Sequence, residues 1–219
     1  SGDHQCQVLA LTWDDERGTA GTDAAALNIS TSSQLSCLVP RAAPPIVQPP
    51  QELRPFFGDQ AMAVVAPLTG GNALAQLAQL VQSCFALMDQ PVPSAGDIYP
   101  KLVQAASRHA PADMRFEPTF WGERHTSLSG ATITGLRPGD LQAGPLAGAL
   151  LFGVVHNLAS MAGELTAGVA TLVGSGSALV QNPVLQAHVQ TLFGKPLALR
   201  SDRDAAFGAA LVATDMFSM

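Results

Sequence analysis

Charge is the scarcest property of this sequence. Of its 219 residues only 13% are charged, and 11 basic side chains against 17 acidic ones leave a net charge of −6. Without a basic excess there is no electrostatic footprint for a nucleic-acid backbone or an anionic membrane surface, so partners of both kinds are excluded. Cysteine is scarce as well. Cys6, Cys37 and Cys84 are odd in number and never spaced as CxxC, which argues against a disulfide framework and a structural zinc site and for a reducing, cytoplasmic compartment. His4, His109, His125, His156 and His188 fall into no HExxH or related ligand spacing, so no metal site is expected on this chain. The first residues lack a basic stretch followed by an apolar one, and no signal peptide is expected.

Apolar residues, by contrast, make up 47% of the chain, enough for one domain with a sizeable core. One stretch, 143–163, runs for 21 residues without Asp, Glu, Lys or Arg and has the length to cross a bilayer. Its larger apolar residues, Leu146, Leu150, Val154, Leu158, Met161 and Leu165, step by three or four. Gly148, His156, Asn157 and Ser160 interrupt the rest. This spacing predicts a buried amphipathic helix over 142–165.

Residues 3–12 read as a helix with Asp3 in the first turn, where a carboxylate suits the free amides and the dipole. Residues 13–21 read as a solvated turn. Two short apolar runs, 24–29 and 33–39, flank Ser30, Thr31 and Ser32 and predict two strands joined by a tight hydroxyl-rich turn. Six prolines between Pro40 and Pro55 exclude a helix or central strand there. Residues 60–66 recover strand character, Thr69-Gly70-Gly71-Asn72 turns the chain, and helices are expected over 73–88 and 97–109. Residues 115–140 read as loops around Trp121-Gly122-Glu123-Arg124-His125.

The last fifty residues are the most regular. A strand at 169–173 is followed by the turn Gly174-Ser175-Gly176-Ser177. A helix over 183–193 begins at Asn182 with Pro183 in its first turn. A strand at 196–199 precedes a final helix, 205–216, started by Asp202 to Asp204. Strand, loop, helix, strand, helix implies an α/β layer arrangement with parallel neighbours.

Three turns carry the chemistry: 30–32, 70–72 and 174–177. Glycine lets backbone amides approach an anion, Ser and Thr add donors, and a helix start adds a favourable dipole. Together they read as a nucleotide cradle, although GSGSAL at 174–179 lacks the last glycine of a dinucleotide fingerprint and no GxxxxGK[ST] occurs.

The strings GDHQ (2–5), LNISTSSQL (27–35), GGNALA (70–75), GERH (122–125), GSGSAL (174–179) and DAAFGAALVA (204–213) stand in the order found in the C-terminal half of FGGY carbohydrate kinases. The chain resembles that family from Gly2 to about Ala213. The resemblance implies a ribonuclease H-like (actin-like ATPase) domain, a mixed sheet flanked by helices, as a single C-terminal domain over 1–219. It implies a cut from a longer polypeptide whose N-terminal kinase domain, carrying the phosphate hairpin, most sugar contacts and the Mg2+ site, lies upstream.

The resemblance also assigns roles. Asp3 is the general base, a carboxylate that accepts the proton of an attacking sugar hydroxyl. Thr31, with Ser30 and Ser32, faces the ATP phosphates, where relatives carry glycines beside the threonine. Gly70, Gly71 and Asn72 form a second nucleotide turn, and Gly174, Ser175, Gly176 and Ser177 a third, near the adenosine. Asn182 either reaches the purine or only caps the helix ahead of Pro183. Arg124 is read as bracing its loop, and the small residues of the last helix as packing beneath the nucleotide turns. The implied activity is ATP-dependent phosphorylation of a ketose at a terminal hydroxyl, sedoheptulose first and xylulose second. A non-catalytic nucleotide- or sugar-binding module on the same scaffold is the alternative.

Overall fold

The computed structural model describes residues 2–108, 113–125, 127 and 130–214. The chain opens on helix α1, Asp3–Thr12, and a small hairpin, β1 (Trp13–Asp14) and β2 (Thr19–Ala20), occupies the stretch read as a turn. Strands β3 (Ala24–Ile29) and β4 (Ser33–Pro40) pair antiparallel across the hydroxyl-rich turn. Then follow β5 (Glu52–Pro55), β6 (Gln60–Val65), α2 (Gly71–Leu87) and α3 (Ala95–Ala106). A capping box starts α3, with Ser94 Oγ accepting from the Asp97 amide at 3.2 Å. His109, at the expected end of this helix, lies outside the described residues, as does Met216 at the end of the chain.

Residues 115–140 contain a hairpin that the sequence hid, β7 (Arg115–Glu117) with β8 (Thr132–Thr134). Next come the long helix α4 (Ala143–Ala162) with a 3-10 turn over Gly163–Thr166, then β9 (Thr171–Ser175) and the one-turn helix α5 (Ser177–Val180). Helix α6 (Pro183–Phe193) starts as its sequence predicts: Asn182 Oδ1 accepts from the Val184 and Leu185 amides at 3.0 and 3.1 Å, and Pro183 holds the first turn. Strand β10 (Leu197–Leu199) and helix α7 (Ala205–Ala213), capped by Asp204, complete the chain.

Six strands form one mixed sheet in the order β10-β9-β3-β4-β6-β5. The pairs β10-β9 and β9-β3 are parallel, and the remainder are antiparallel. The proline-rich excursion contributes only the edge strand β5, where Pro55 costs the sheet little.

Because successive residues of a strand face opposite ways, β3 feeds two cores. Ala25, Leu27 and Ile29 pack with α2, α3, α4 and α6 on one face. Ala26, with Leu38, Met62 and Val64 of the neighbouring strands, packs against α1 and α7 on the other. Helix α4 lies inside the first core: Leu150, Val154 and Leu158 are buried in it, and among its residues Ala143, His156 and Ser160 are exposed. The length that suits a bilayer here serves the centre of an α/β layer.

The small residues of α7 turn out to serve a different purpose from the one expected. Only Gly208 among them is buried; Ala206, Ala209 and Ala210 face outward. A β-carbon on Gly208 would collide with the Cys6 carbonyl oxygen. The helix therefore rests on the backbone of α1, on the face opposite the 30–32, 70–72 and 174–177 turns rather than beneath them.

Candidate active site

The β3-β4 turn, the start of α2 and the α5-α6 corner converge on a single cavity of about 740 Å3, a size suited to a nucleotide. Its polar rim contains Ser30, Thr31, Asn72, Ser177, Gln181 and Asn182, with Gly70 and Gly71 between them. Its floor is apolar: Leu74 of α2, Tyr99 and Val103 of α3, Leu151 and Val154 of α4, and Leu185 of α6. Three turns more than thirty residues apart in the chain thus share one wall.

The first two turns are fastened to each other. The Gly71 amide donates to the Ser30 carbonyl at 2.6 Å and the Asn72 amide to the Thr31 carbonyl at 3.1 Å. A β-carbon on Gly71 would sit 2.6 Å from the Ser30 carbonyl oxygen and 2.8 Å from the Ala178 methyl, so only glycine lets the helix start touch both neighbouring turns. Asn72 shapes its own loop, its Oδ1 accepting from the Gly70 amide at 2.8 Å and its Nδ2 donating to the Leu68 carbonyl at 3.0 Å. The Gly71 and Asn72 amides, expected as anion donors, are satisfied within the protein. The hydroxyls of Ser30, Thr31 and Ser177 line the same wall and are donors of the kind a ligand there would meet.

Four of the residues named from the sequence for the three turns do not line the cavity. Ser32 lies behind Gly70, whose missing β-carbon leaves room for the Ser32 carbonyl group. Gly174 and Ser175 are not turn residues but the end of β9, and a β-carbon on Gly174 would meet the Leu179 and Leu197 side chains at 2.8 and 2.9 Å. The Ser175 hydroxyl faces the other side of the sheet, where it accepts from Asn28 Nδ2 at 3.0 Å and Gln7 Nε2 at 3.4 Å. Gly176, at φ 92°, makes the turn itself and presses on the Ile29 carbonyl oxygen. Only Ser177 of this motif reaches the cavity.

Asn182 is a helix cap that also lines the cavity. Its Oδ1 caps α6, which leaves its side-chain NH2 as the group it offers to the cavity wall.

Asp3 lies on the opposite face of the sheet. It begins α1 and is exposed, and its side chain makes no hydrogen bond or ion pair among the described residues. Its neighbour His4 fixes the position. His4 Nε2 lies 2.9 Å from Ser36 Oγ, and Gln34 Nε2 lies 3.4 Å from His4 Nδ1. Both partners belong to β4, just past the Ser30–Ser32 turn. The carboxylate and the cavity accordingly flank the same hairpin tip from its two sides. Burial first, then the Arg54 guanidinium, holds the His4 imidazole neutral at neutral pH, its pKa lowered to about 4.

The GERH segment is a brace, but not through the arginine. Glu123 Oε1 accepts from Asn157 Nδ2 of α4 at 2.8 Å, and its Oε2 accepts from the Leu68 amide at 3.3 Å. Arg124 is exposed. His125 Nε2 lies 3.4 Å from Glu52 Oε1 on the edge strand. Among the described residues no three His, Cys, Asp or Glu side chains converge as a metal-binding group.

A mixed sheet of this order, flanked by helices and carrying its cavity at a hairpin tip, has the actin-like ATPase fold found in one domain of the sugar kinases. Xylulose kinase from Rhodospirillum rubrum superposes over 98% of this chain with a TM-score of 0.78 at 20% identity, the match covering 41% of that protein. Glycerol kinase from Plasmodium falciparum, solved with ADP, superposes over 98% of the chain and 42% of its own length with a TM-score of 0.71 at 15% identity. In sequence, the chain is related to sedoheptulokinase: it is 39% identical to the Mus musculus protein and 37% identical to the Homo sapiens protein, in each case over 86% of its own residues. The expected resemblance to FGGY carbohydrate kinases is borne out by these relatives. The chain spans 41% of the length of both sedoheptulokinases. No protein-family model matches it.

Proposed function

We propose that this chain is the nucleotide-binding half of an ATP-dependent ketose kinase that phosphorylates a terminal hydroxyl, with sedoheptulose as the preferred acceptor. The observation that carries this reading is the 37–39% identity to two sedoheptulokinases over 86% of the chain. The cavity supports it chemically. The floor of Leu74, Tyr99, Leu151 and Leu185 suits a purine, and the hydroxyls of Ser30, Thr31 and Ser177 suit the phosphate chain.

In this reading the phosphate chain passes over the Ser30–Ser32 tip toward Asp3. The Asp3 carboxylate accepts the proton of the sugar hydroxyl as its oxygen bonds to the γ-phosphorus. The bond from that phosphorus to the bridging oxygen breaks, and ADP departs with the electron pair. The chain's contribution is alignment and a base, not covalent chemistry. Sugar contacts and magnesium are assigned to the remainder of the polypeptide, which the relatives' greater length supports. The three free cysteines support a reducing, cytoplasmic setting.

The test is Asp3→Asn in the complete kinase. We expect kcat to fall about a thousandfold with ATP binding within about twofold of wild type. Near-normal turnover rejects the base. Wild-type protein that binds ATP yet consumes neither sedoheptulose, xylulose nor glycerol is a binding module and not a kinase.

A further inference from the structure

Helix α1 starts weakly. Its N-cap is Gly2, no side chain caps its first turn, and it sets an exposed carboxylate at that unsupported end. An uncapped first turn leaves its amides to water and frays unless tertiary contacts hold it. On one side that turn packs on α7 at Cys6 and Gly208; on the sheet side one side chain ties it down. His4 is the sole residue of that turn with hydrogen bonds to the sheet among the described residues, and it faces a small seam of about 10 Å3 where the polar side chains of Gln7, Asn28, Gln34 and Ser36 meet the apolar ones of Val8, Leu11 and Ala26.

The geometry fixes the state of the ring. Arg54 NH1 and Gln34 Nε2 both lie 3.4 Å from His4 Nδ1, and both are donors. Nδ1 is therefore the acceptor, and the proton sits on Nε2, which donates to Ser36 Oγ at 2.9 Å. The arginine is in turn held from behind. Its Nε and NH2 donate to Glu52 Oε2 at 3.0 and 2.8 Å, and the other oxygen of Glu52 faces His125 Nε2 at 3.4 Å. Four separate stretches of chain thus lock one imidazole: the helix start, β4, the edge strand and the GERH loop.

We propose that His4 is the positioning residue for Asp3, and that Arg54, steadied by Glu52 and His125, orients it. This rests on the kinase reading with Asp3 as base. His4 touches neither nucleotide nor sugar in this assignment; it sets where the neighbouring carboxylate stands. A base displaced by about 1 Å loses up to about a hundredfold in rate while ground-state nucleotide binding, on the other side of the hairpin tip, is untouched. It also gives the edge strand and the GERH loop a share in catalysis that neither's own position explains.

The test uses the complete kinase, whose wild-type turnover of a ketose must first be established; failure there rejects the kinase reading, not this one. With turnover in hand, His4→Ala is expected to lower kcat at least about tenfold with KM for ATP within about twofold. His4→Gln, which restores a donor toward Ser36, is expected to recover kcat at least about threefold relative to His4→Ala. Arg54→Gln should show the same split at smaller amplitude. The proposal is overturned if His4→Ala leaves kcat within about twofold, if KM for ATP rises in proportion to the loss, or if His4→Gln is no better than His4→Ala. Should His4→Ala fail to fold, Ser36→Ala, which deletes a single oxygen, carries the test: an approximately threefold fall in kcat at constant KM supports the proposal, and an unchanged kcat overturns it.

Discussion

At the residue scale, the same imidazole makes the molecule acid-sensitive. The unfolded chain binds a proton at His4 near pH 6.5, whereas the folded chain resists until about pH 4, chiefly because the ring is buried and secondly because Arg54 faces it. Between those values the folded state holds fewer protons, so stability is complete above about pH 6.5 and is lost as pH falls through the window. Glu52 adds a loss in the same direction lower down, since its hydrogen bond from Arg54 first, and the charges of Arg54 and His125 after it, hold its carboxyl below the ordinary range. We expect urea midpoints between pH 7 and pH 4 to record a decline on the order of 1–2 kcal/mol from His4, after discounting for its partial exposure, and His4→Gln to flatten it.

Single residues were also where the sequence spoke most plainly. Asn182 and Pro183 announced the start of α6 because a side-chain acceptor and a missing N–H leave few other places for them. Ser30, Thr31, Gly70, Gly71, Asn72 and Ser177 were legible as cavity residues from hydroxyls and glycines between apolar runs. Gly174 and Ser175 were misplaced by the same logic: in GSGS the eye cannot tell a glycine that turns the chain from one that makes room within a strand, and here only Gly176 has the positive φ.

At the element scale, the strands and helices with a clear period were readable and the irregular ones were not. Strands β3 and β4 and helices α2 and α4 followed their apolar patterns. Strand β5 was hidden because prolines mask an edge strand, and the β7-β8 hairpin because its Arg115–Glu117 and Thr132–Thr134 arms are mostly polar and too short to show alternation. The α1-α7 contact was not foreseen: in sequence, the small residues of the last helix read as packing beneath the three turns. Its physical content is one position, and it makes a prediction. Gly208→Val should lower the unfolding free energy by roughly 3 kcal/mol, because the added methyl groups must push the Cys6 backbone aside. Ala210→Val, on the exposed face of the same helix, should change it by less than about 0.5 kcal/mol. Urea denaturation of the two variants reads both.

At the scale of the whole molecule, the apolar floor of the cavity was invisible beforehand. Tyr99, Leu151, Val154 and Leu185 come from three helices far apart in the chain and look like ordinary core until the fold brings them under the glycine turns. Filling that space tests the assembled site without touching the polar rim. Ala75 lines the cavity from α2 and is only half-buried, so a larger side chain there intrudes on the ligand rather than on the core. Ala75→Phe in the complete kinase is expected to weaken ATP binding about tenfold, equivalent to about 1.4 kcal/mol, with an unchanged melting temperature. Calorimetric titration against wild type measures it.

The backbone-to-backbone seat of α1 on α7 has one more consequence. With no side chain between Gly208 and Cys6 to act as a cushion, the first helix has no slack in which to swing on its own. In the kinase proposed above, with His4 holding its first turn to the sheet, the leading carboxylate would then be the anvil and the acceptor the part that arrives to meet it.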